Sequence, residues 1–390
     1  MPHRRTGPAG LAGAVGALAV VSSAALALML GAGSTSAVTP APSPLPGAPH
    51  GVSQANGVIV YGRYARPAGP DGFVRGLTIV NAAGGPPRVL STTTACCVSV
   101  GGHTIMFTRR TREGLEDLLL TTRPGRTVLR SLAIAGMTPG LGVVSPDGSR
   151  IAVWAARAVD PHRGALEVHS GGRWYQIGRI SGRRVRPLAF SPDGSQVLVF
   201  RPTAGAGVGE VGVVRIATAR YQRLTPPGMV SWCCYWGSPA SWSPDGRVAF
   251  AAFEHPPKGD AMSDGESAVF VTEHGTDGVR RVTDWGLWTT SARWSPDSRL
   301  VAYDTANQRK GLHDLFVIDP DGGSPSLVAT PHDGGSCCAL WSPNGKALIY
   351  ETGRGDGHLD LWTVNLDGTG TFHLTSDASS DLTYAVTPPS

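Results

Sequence analysis

The sequence has little net charge, few lysines and few aromatic residues, and it has no linear motif for a common enzyme reaction. Its formal net charge is +5 over 390 residues, and lysine supplies only 3 of the 34 basic side chains. The arginines are scattered rather than gathered into a basic stripe, so we expect no nucleic-acid partner. Gly-x-Ser-x-Gly, His-Glu-x-x-His and glycine-rich phosphate motifs are missing, so we predict no catalytic residue, metal or cofactor.

Glycine and proline are abundant, with 52 and 31 residues, whereas aromatic residues make up 7%. This composition favours many short strands joined by turns, and we predict an all-β protein. The length exceeds the usual range of a single domain, but repeat proteins escape that limit because each unit buries its apolar face against its neighbours. We therefore expect one large domain.

The N-terminal region predicts export. Residues 1–37 contain Arg4-Arg5, an apolar run from Leu11 to Leu30 and small residues up to Ala37, which is typical of a secretory signal. The run approaches the ~20 residues that span a bilayer, so an uncleaved anchor is the alternative and the one predicted membrane contact. Residues 38–56 are rich in Pro and Ala and predict a linker. The folded domain is assigned to residues 57–390, in a secreted or cell-envelope protein.

One string recurs five times and organises the rest of the chain. Each copy has an apolar or aromatic residue, Ser-Pro-Asp or Ser-Pro-Asn, and then an apolar strand. The copies are Val144–Val153, Phe190–Val199, Trp242–Phe250, Trp294–Tyr303 and Trp341–Tyr350. Their serines are separated by 46, 52, 52 and 47 residues. This spacing is close to the ~40–50 residues of one four-stranded propeller blade.

The motif has a structural explanation that requires no catalysis. Pro presets φ, Asp bonds nearby backbone and Gly tolerates positive φ, so Ser-Pro-Asp-Gly predicts a turn between two strands. The aromatic residue before the serine recurs at one position, and we expect it to pack between adjacent blades.

Degenerate copies extend the count. Ser99 lies 46 residues before Ser145, and Thr387 lies 45 residues after Ser342. A strand ending near Val386 is expected to complete a blade begun by Gly57–Tyr61, because such closure removes open sheet edges. We predict seven blades, the first closed by the C-terminal strand; a six-bladed ring is the alternative.

These repeats resemble the WD-like Pro-Asp repeat of the TolB-like β-propeller family, over about residues 57–390. The resemblance implies the fold. That family includes binding scaffolds, gating domains of peptidases and enzymes, so the resemblance leaves the chemistry open.

Six cysteines form three adjacent pairs, each just before or at the start of a predicted innermost strand: Cys96-Cys97, Cys233-Cys234 and Cys337-Cys338. We expect all three pairs on one face. Export favours disulfides, whose connectivity stays open, and adjacent bridges would be strained because neighbouring Cα atoms are ~3.8 Å apart. Buried thiols and metal or redox chemistry are the alternatives.

The predicted loops that lead into the innermost strands carry six candidate binding residues, which are Trp232, Tyr235, Trp236, Trp285, Trp288 and His332. Exposed aromatic side chains anchor partners, although packing inside the loops is an equal alternative. We predict a monomeric, non-catalytic binding or scaffold protein whose partner is a protein, peptide or glycan. The alternative is a propeller enzyme, a hydrolase, lyase or redox enzyme with a site centred on the channel.

Overall fold

In this computed structural model, the structure describes most of the chain beyond residue 57. The described residues are 58–64, 76–81, 86–91, 95–111, 114–123, 126–132, 134, 137–157, 160–177, 185–204, 207–232, 238–254, 266–273, 276, 278–307, 312–331, 339–353, 359–375 and 380–386. The predicted signal and linker lie outside these residues. Among the residues described, no helix is long and apolar enough to cross a membrane.

The first three sheets are antiparallel and contain four strands each. Their strands are β1 Val58–Tyr64, β2 Gly76–Asn81, β3 Arg88–Ser91, β4 Ala95–Gly101, β5 Thr104–Thr111, β6 Gly114–Arg123, β7 Arg126–Ser131, β8 Met137–Val144, β9 Ile151–Arg157, β10 Asp160–Ser170, β11 Arg173–Gln176 and β30 Ser380–Val386. Sheet 1 has the order β3-β2-β1-β30, sheet 2 has β4-β5-β6-β7, and sheet 3 has β8-β9-β10-β11.

Sheets 4 and 5 each add a short fifth strand to this plan, whereas sheets 6 and 7 keep four. Sheet 4 comprises β12 Arg186–Phe190, β13 Gln196–Ala204, β14 Val208–Arg215, β15 Arg220–Arg223 and β16 Ser231–Trp232. Sheet 5 comprises β17 Ala240–Trp242, β18 Val248–Phe253, β19 Glu266–Thr272, β20 Val279–Arg281 and β21 Gly286–Leu287. Sheets 6 and 7 comprise β22 Ala292–Trp294, β23 Val301–Asn307, β24 Leu312–Ile318, β25 Ser326–Ala329, β26 Leu340–Trp341, β27 Ala347–Gly353, β28 Leu359–Asn365 and β29 Phe372–His373.

Seven hydrophobic clusters hold the sheets together, and each cluster joins two neighbouring sheets. Representative buried pairs are Leu77 with Phe107, Met106 with Val153, Ala152 with Phe190, Leu198 with Phe250, Val269 with Trp294, Ala302 with Trp341, and Ile349 with Ile59. The last pair joins sheet 7 to sheet 1. This packing confirms the all-β propeller predicted from the sequence, and it confirms that the recurring aromatic residues pack between sheets.

The chain's first and last described strands pair with each other. Strand β1 pairs antiparallel with β30, with Ile59 opposite Val386 and Tyr64 opposite Ser380. The side chains of Ile59 and Tyr61 are fully buried in the cluster shared with sheet 7. The two ends of the sequence thus build one sheet together, as the degenerate repeats predicted.

The Ser-Pro-Asp turns are confirmed as structural elements. In the first of them, Ser145 is buried and its hydroxyl donates to Asp147 at 2.6 Å while accepting from the Arg150 amide at 2.8 Å. The corresponding serines of all five copies bond the acid or amide two residues later. Each serine therefore fixes the carboxylate or amide that organises its own turn, and none is an exposed nucleophile.

Arginines tie successive turns together. Arg150 donates to the carbonyl oxygen of Gly194 at 2.6 Å, in the turn of the next sheet. Arg247 repeats this contact with the carbonyl oxygen of Ser298 at 3.1 Å and lies 4.4 Å from the centre of the Trp294 ring. Part of the arginine excess in the sequence therefore serves contacts between neighbouring sheets.

One sequence assignment shifts by two residues. The Ser99 hydroxyl accepts from the amide of Val144 at 3.0 Å, as Ser241 accepts from Trp294 at 2.9 Å. Ser99 thus corresponds to Ser241 rather than to the motif serine, whose place in sheet 2 is taken by Gly101. A Cβ atom at Gly101 would lie 1.9 Å from the Ser145 carbonyl oxygen. The turn between β4 and β5 has only two residues. This shortening is the reason why the sequence spacing placed Ser99 at the position of the motif serine.

Candidate functional site

The candidate site lies at the end of the sheets opposite the Ser-Pro-Asp turns, where the connecting segments enter the innermost strands. We call it the loop end. Two of its segments are fixed by backbone pairing: Trp232 lies opposite Val208 on β14, and Leu287 lies opposite Glu266 on β19. The fifth strands of sheets 4 and 5 are therefore pieces of these connections. They hold the predicted aromatic residues in defined positions.

Two of the predicted tryptophans come together. The rings of Trp232 and Trp288 are 5.5 Å apart, and the ring of Phe253 lies 5.2 Å from Trp288. Trp288 is only 4% exposed and Phe253 is fully buried, whereas Trp232 is partly exposed. Within this trio, Trp232 is the most exposed ring, and Trp288 packs between it and Phe253.

Trp288 has an unusual backbone. Its φ is +46°, in the left-handed region that side chains disfavour. The residues after it are locked: the Thr289 amide donates to the buried hydroxyl of Ser267 at 2.5 Å, and Thr289 itself is buried. Strain of this kind costs of order 1–3 kcal/mol and persists only where surrounding contacts impose it.

Trp285 lies apart from this trio. Its ring packs at 6.1 Å from Phe270, and the guanidinium of Arg281 lies 5.0 Å from its ring centre. It is partly buried against the cluster between sheets 4 and 5. These contacts favour the packing interpretation for Trp285.

A buried carboxylate bonds the residues that follow Trp288 in the chain. Asp304 on β23 is fully buried and accepts from the Thr290 hydroxyl at 2.7 Å and from the Ser291 amide at 2.8 Å. The Ser291 hydroxyl also donates to it at 2.5 Å, and Nδ1 of His313 lies 2.9 Å away. The Asp304 carboxylate thus fixes both the segment at Thr290 and Ser291 and the Nδ1 edge of the His313 imidazole.

A second buried acid lies on sheet 4 near the same end. Glu210 forms ion pairs with Arg201 at 2.7 Å and Arg223 at 3.2 Å, and it accepts from the Tyr221 hydroxyl at 2.7 Å. Burial, reinforced by the bond to Glu210, raises the pKa of Tyr221 well above its usual range. The phenol therefore stays protonated and acts as a donor.

The remaining predicted site residues are only partly covered. Cys96 and Cys97 lie on β4, where the pairing with β5 shifts register between Cys96 and Ser99, but their side chains are not among the described ones. Cys233, Cys234, Tyr235, Trp236, His332, Cys337 and Cys338 lie outside the described residues. In the described part of the chain, no group of three His, Cys, Asp or Glu side chains is arranged to hold a metal ion.

The repeat and the sheet order agree with a known family. The family model for the TolB beta propeller domain matches residues 123–387, which is more than half of the chain. The chain belongs to this TolB propeller family. The resemblance drawn from the Pro-Asp repeats is thereby confirmed.

Comparisons with individual proteins agree with the TolB propeller fold. An uncharacterized protein of Agrobacterium fabrum is 26% identical over 139 residues, which are 36% of this chain and 43% of the relative. The chain spans less than half the length of the curated relatives it matches. TolB from Acinetobacter baumannii matches at TM-score 0.50 with 15% identity, over 86% of this chain and 67% of that one.

An oligogalacturonate lyase in complex with manganese matches at TM-score 0.57 with 12% identity, over 80% of this chain and 92% of the lyase. At such identities the likeness shows the fold alone. Structures of a TolB protein and of an enzyme thus share the architecture of this TolB propeller.

Asp304 and the residues that bond it, Thr290, Ser291 and His313, form a cluster that was not predicted from the sequence; we call it the Asp304 cluster. A signal was present, because the equivalent positions in sheets 3, 4 and 5 are Trp154, Phe200 and Ala251, whereas sheets 6 and 7 carry acids there, Asp304 and Glu351. A charge in an otherwise apolar strand position predicts a buried, hydrogen-bonded group.

Proposed function

We propose that this TolB propeller is an exported, non-catalytic binding protein that engages a protein, peptide or glycan at its loop end. The observation that carries the proposal is the fixed aromatic trio of Trp232, Trp288 and Phe253. Pairing of the connecting segments onto β14 and β19 preorganises that surface, so little conformational entropy is lost when a partner binds. Export rests on the apolar signal-like segment of residues 11–30.

The exposed edge of Trp232 gives the test. The full chain would be probed with a phage-displayed peptide library and a glycan array, and ligands enriched on the wild type would be measured against Trp232→Ala. We expect at least about tenfold weaker binding, as for a central aromatic anchor. Tyr175→Ala is the matched control, because Tyr175 is 51% exposed on the outer strand β11. Equal binding by Trp232→Ala and the control would refute the proposal.

An enzyme is the second candidate, and the Asp304 cluster favours it. A buried carboxylate that bonds an imidazole and two hydroxyls has the components of general acid–base chemistry. The four bonds to Asp304 also satisfy a purely structural role. Turnover of polyuronate or peptide substrates that is lost in His313→Ala would establish the enzyme and displace the non-catalytic proposal.

We also propose that each sheet is one blade of a seven-bladed ring, with the first blade shared by β1 and β30. Support comes from the seven clusters, which join each sheet to the next and sheet 7 to sheet 1. The Trp341 indole adds a bond from sheet 7 to the Arg293 carbonyl oxygen of sheet 6 at 2.9 Å. Adjacent disulfides within the cysteine pairs are proposed to stiffen the loop end.

A further inference from the structure

A cleft of about 500 Å³ lies between sheets 6 and 7, away from the loop-end aromatic trio. It runs between β25, the outer strand of sheet 6, and strands β27 and β28 of sheet 7. Its lining includes Leu327, Tyr350, Trp362 and the threonines Thr330, Thr352 and Thr371. The volume lies within the range of small-molecule sites, ~300–1,000 Å³.

An aromatic ladder forms one wall of the cleft. Tyr350 and Trp362 lie opposite each other on β27 and β28, and Trp362 lies opposite His373 on β29. The rings of Trp362 and His373 stack at 4.3 Å with an interplanar angle of 13°. His373 Nε2 in turn lies 2.6 Å from the fully buried carboxylate of Asp360. The ladder is thus fixed from behind, so the wall is preorganised.

Trp362 carries a donor that has no acceptor in the described part of the chain. Its Nε1–H is buried and makes no hydrogen bond there. A buried unpaired donor is unfavourable, so an acceptor that entered the cleft would be favoured. The Trp341 indole, by contrast, has its acceptor in the Arg293 carbonyl oxygen.

The lining also indicates the chemistry of the ligand. Among the described residues that line the cleft, the Tyr350 phenol, whose pKa burial raises, is the one ionisable side chain. The lining combines aromatic rings, three threonines and the exposed apolar side chain of Leu327. A charged ligand would lose its hydration there without gaining a counter-charge from the described lining residues. A sugar ring offers apolar C–H faces to the aromatic wall and hydroxyl oxygens to the donors.

We propose that this cleft binds a short neutral carbohydrate of one or two rings, with a hydroxyl oxygen accepting from Trp362 Nε1. The site shares no residue with the aromatic trio at the loop end. The sugar site can therefore be tested independently of the partner proposed for the loop end.

Indole ¹⁵N–¹H NMR on the full chain tests the assignment. Each tryptophan gives one side-chain signal, and the Trp362 signal is the one that is missing in Trp362→Phe. Titration with cellobiose, maltose, chitobiose and mannobiose at millimolar concentration is expected to shift this signal for at least one sugar. Calorimetry should then show about tenfold weaker binding of that sugar to Trp362→Phe, which keeps a ring and loses the donor.

Trp154→Phe is the matched control, because the Trp154 indole N–H is also buried without an acceptor among the described residues but lies in the cluster between sheets 3 and 4. This variant should bind the sugar like the wild type. The proposal is overturned if no sugar shifts the Trp362 signal, if both variants bind equally, or if only an extended peptide produces the shift.

Discussion

At Ser298 the turn motif adopts a backbone conformation that its side chain disfavours. Its φ is +61°, whereas the equivalent positions of the other four copies are glycines with φ between +68° and +90°. The Ser298 hydroxyl accepts from the Asp245 amide at 3.2 Å, an exposed bond that recovers part of the cost. The motif thus retains its geometry even where its preferred residue is absent.

Replacing Ser298 by glycine is expected to stabilise the protein by about 0.5–1 kcal/mol, because glycine accepts positive φ without a Cβ clash. Urea unfolding of both proteins measures the change. Ser298→Ala is the control, since it loses the hydroxyl without relieving the strain, and it should be less stable than the wild type. A glycine variant no more stable than the wild type would contradict this account.

The contribution of strand β30 to the stability of the protein can be measured by deleting the strand. Deleting residues 382–390 exposes one edge of β1, whose Ile59 and Tyr61 belong to the cluster shared with sheet 7. We expect Tm to fall by about 10 °C or more, with aggregation through the open edge. Deletion of only residues 387–390, which follow the strand, is the control and should leave Tm nearly unchanged. If the two deletions behave alike, the shared sheet does not carry this stability.

Elements that repeat were predictable, and elements that differ between repeats were not. The motif at Trp294 predicted a turn and two strands because its apolar alternation and turn residues are local signals. The two-residue strands β16 and β21 have no such signal, since they form only where a connection meets the free half of a central strand. The placement of Trp288 below Trp232 follows from those strands, so the sequence predicted the residues of the site but not which ring a partner can reach.

Across the whole molecule, the turn carboxylates make stability depend on pH. The hydrogen bond from Ser145 lowers the pKa of Asp147 to about 2, and bonds from the motif serines likewise lower the pKa values of Asp193 and Asp297. At Asp245, burial acts in the opposite direction but is outweighed by hydrogen bonds from Arg247 and Ser243, so its pKa is lowered too. Each folded pKa lies below the unfolded value of ~3.9.

The unfolded chain therefore binds more protons between about pH 4 and pH 2, so stability should be complete above pH 4 and fall as the pH drops through this window. Urea unfolding across the window measures the slope. Asp147→Asn should flatten it, whereas Asn344→Asp, which places a carboxylate in the fifth turn, should steepen it. Unchanged slopes in both variants would mean that the turns do not set the acid response.

The pairing of β1 with β30 also has a consequence for the order of folding. The two strands are separated by more than 300 residues, so β1 leaves the ribosome long before its neighbour is synthesised. Contacts of such high sequence separation are slow to form. Until β30 arrives, one edge of β1 is open and able to recruit a strand from another molecule. A chaperone that shields nascent strand edges would therefore be needed most before the last seven-residue strand is complete.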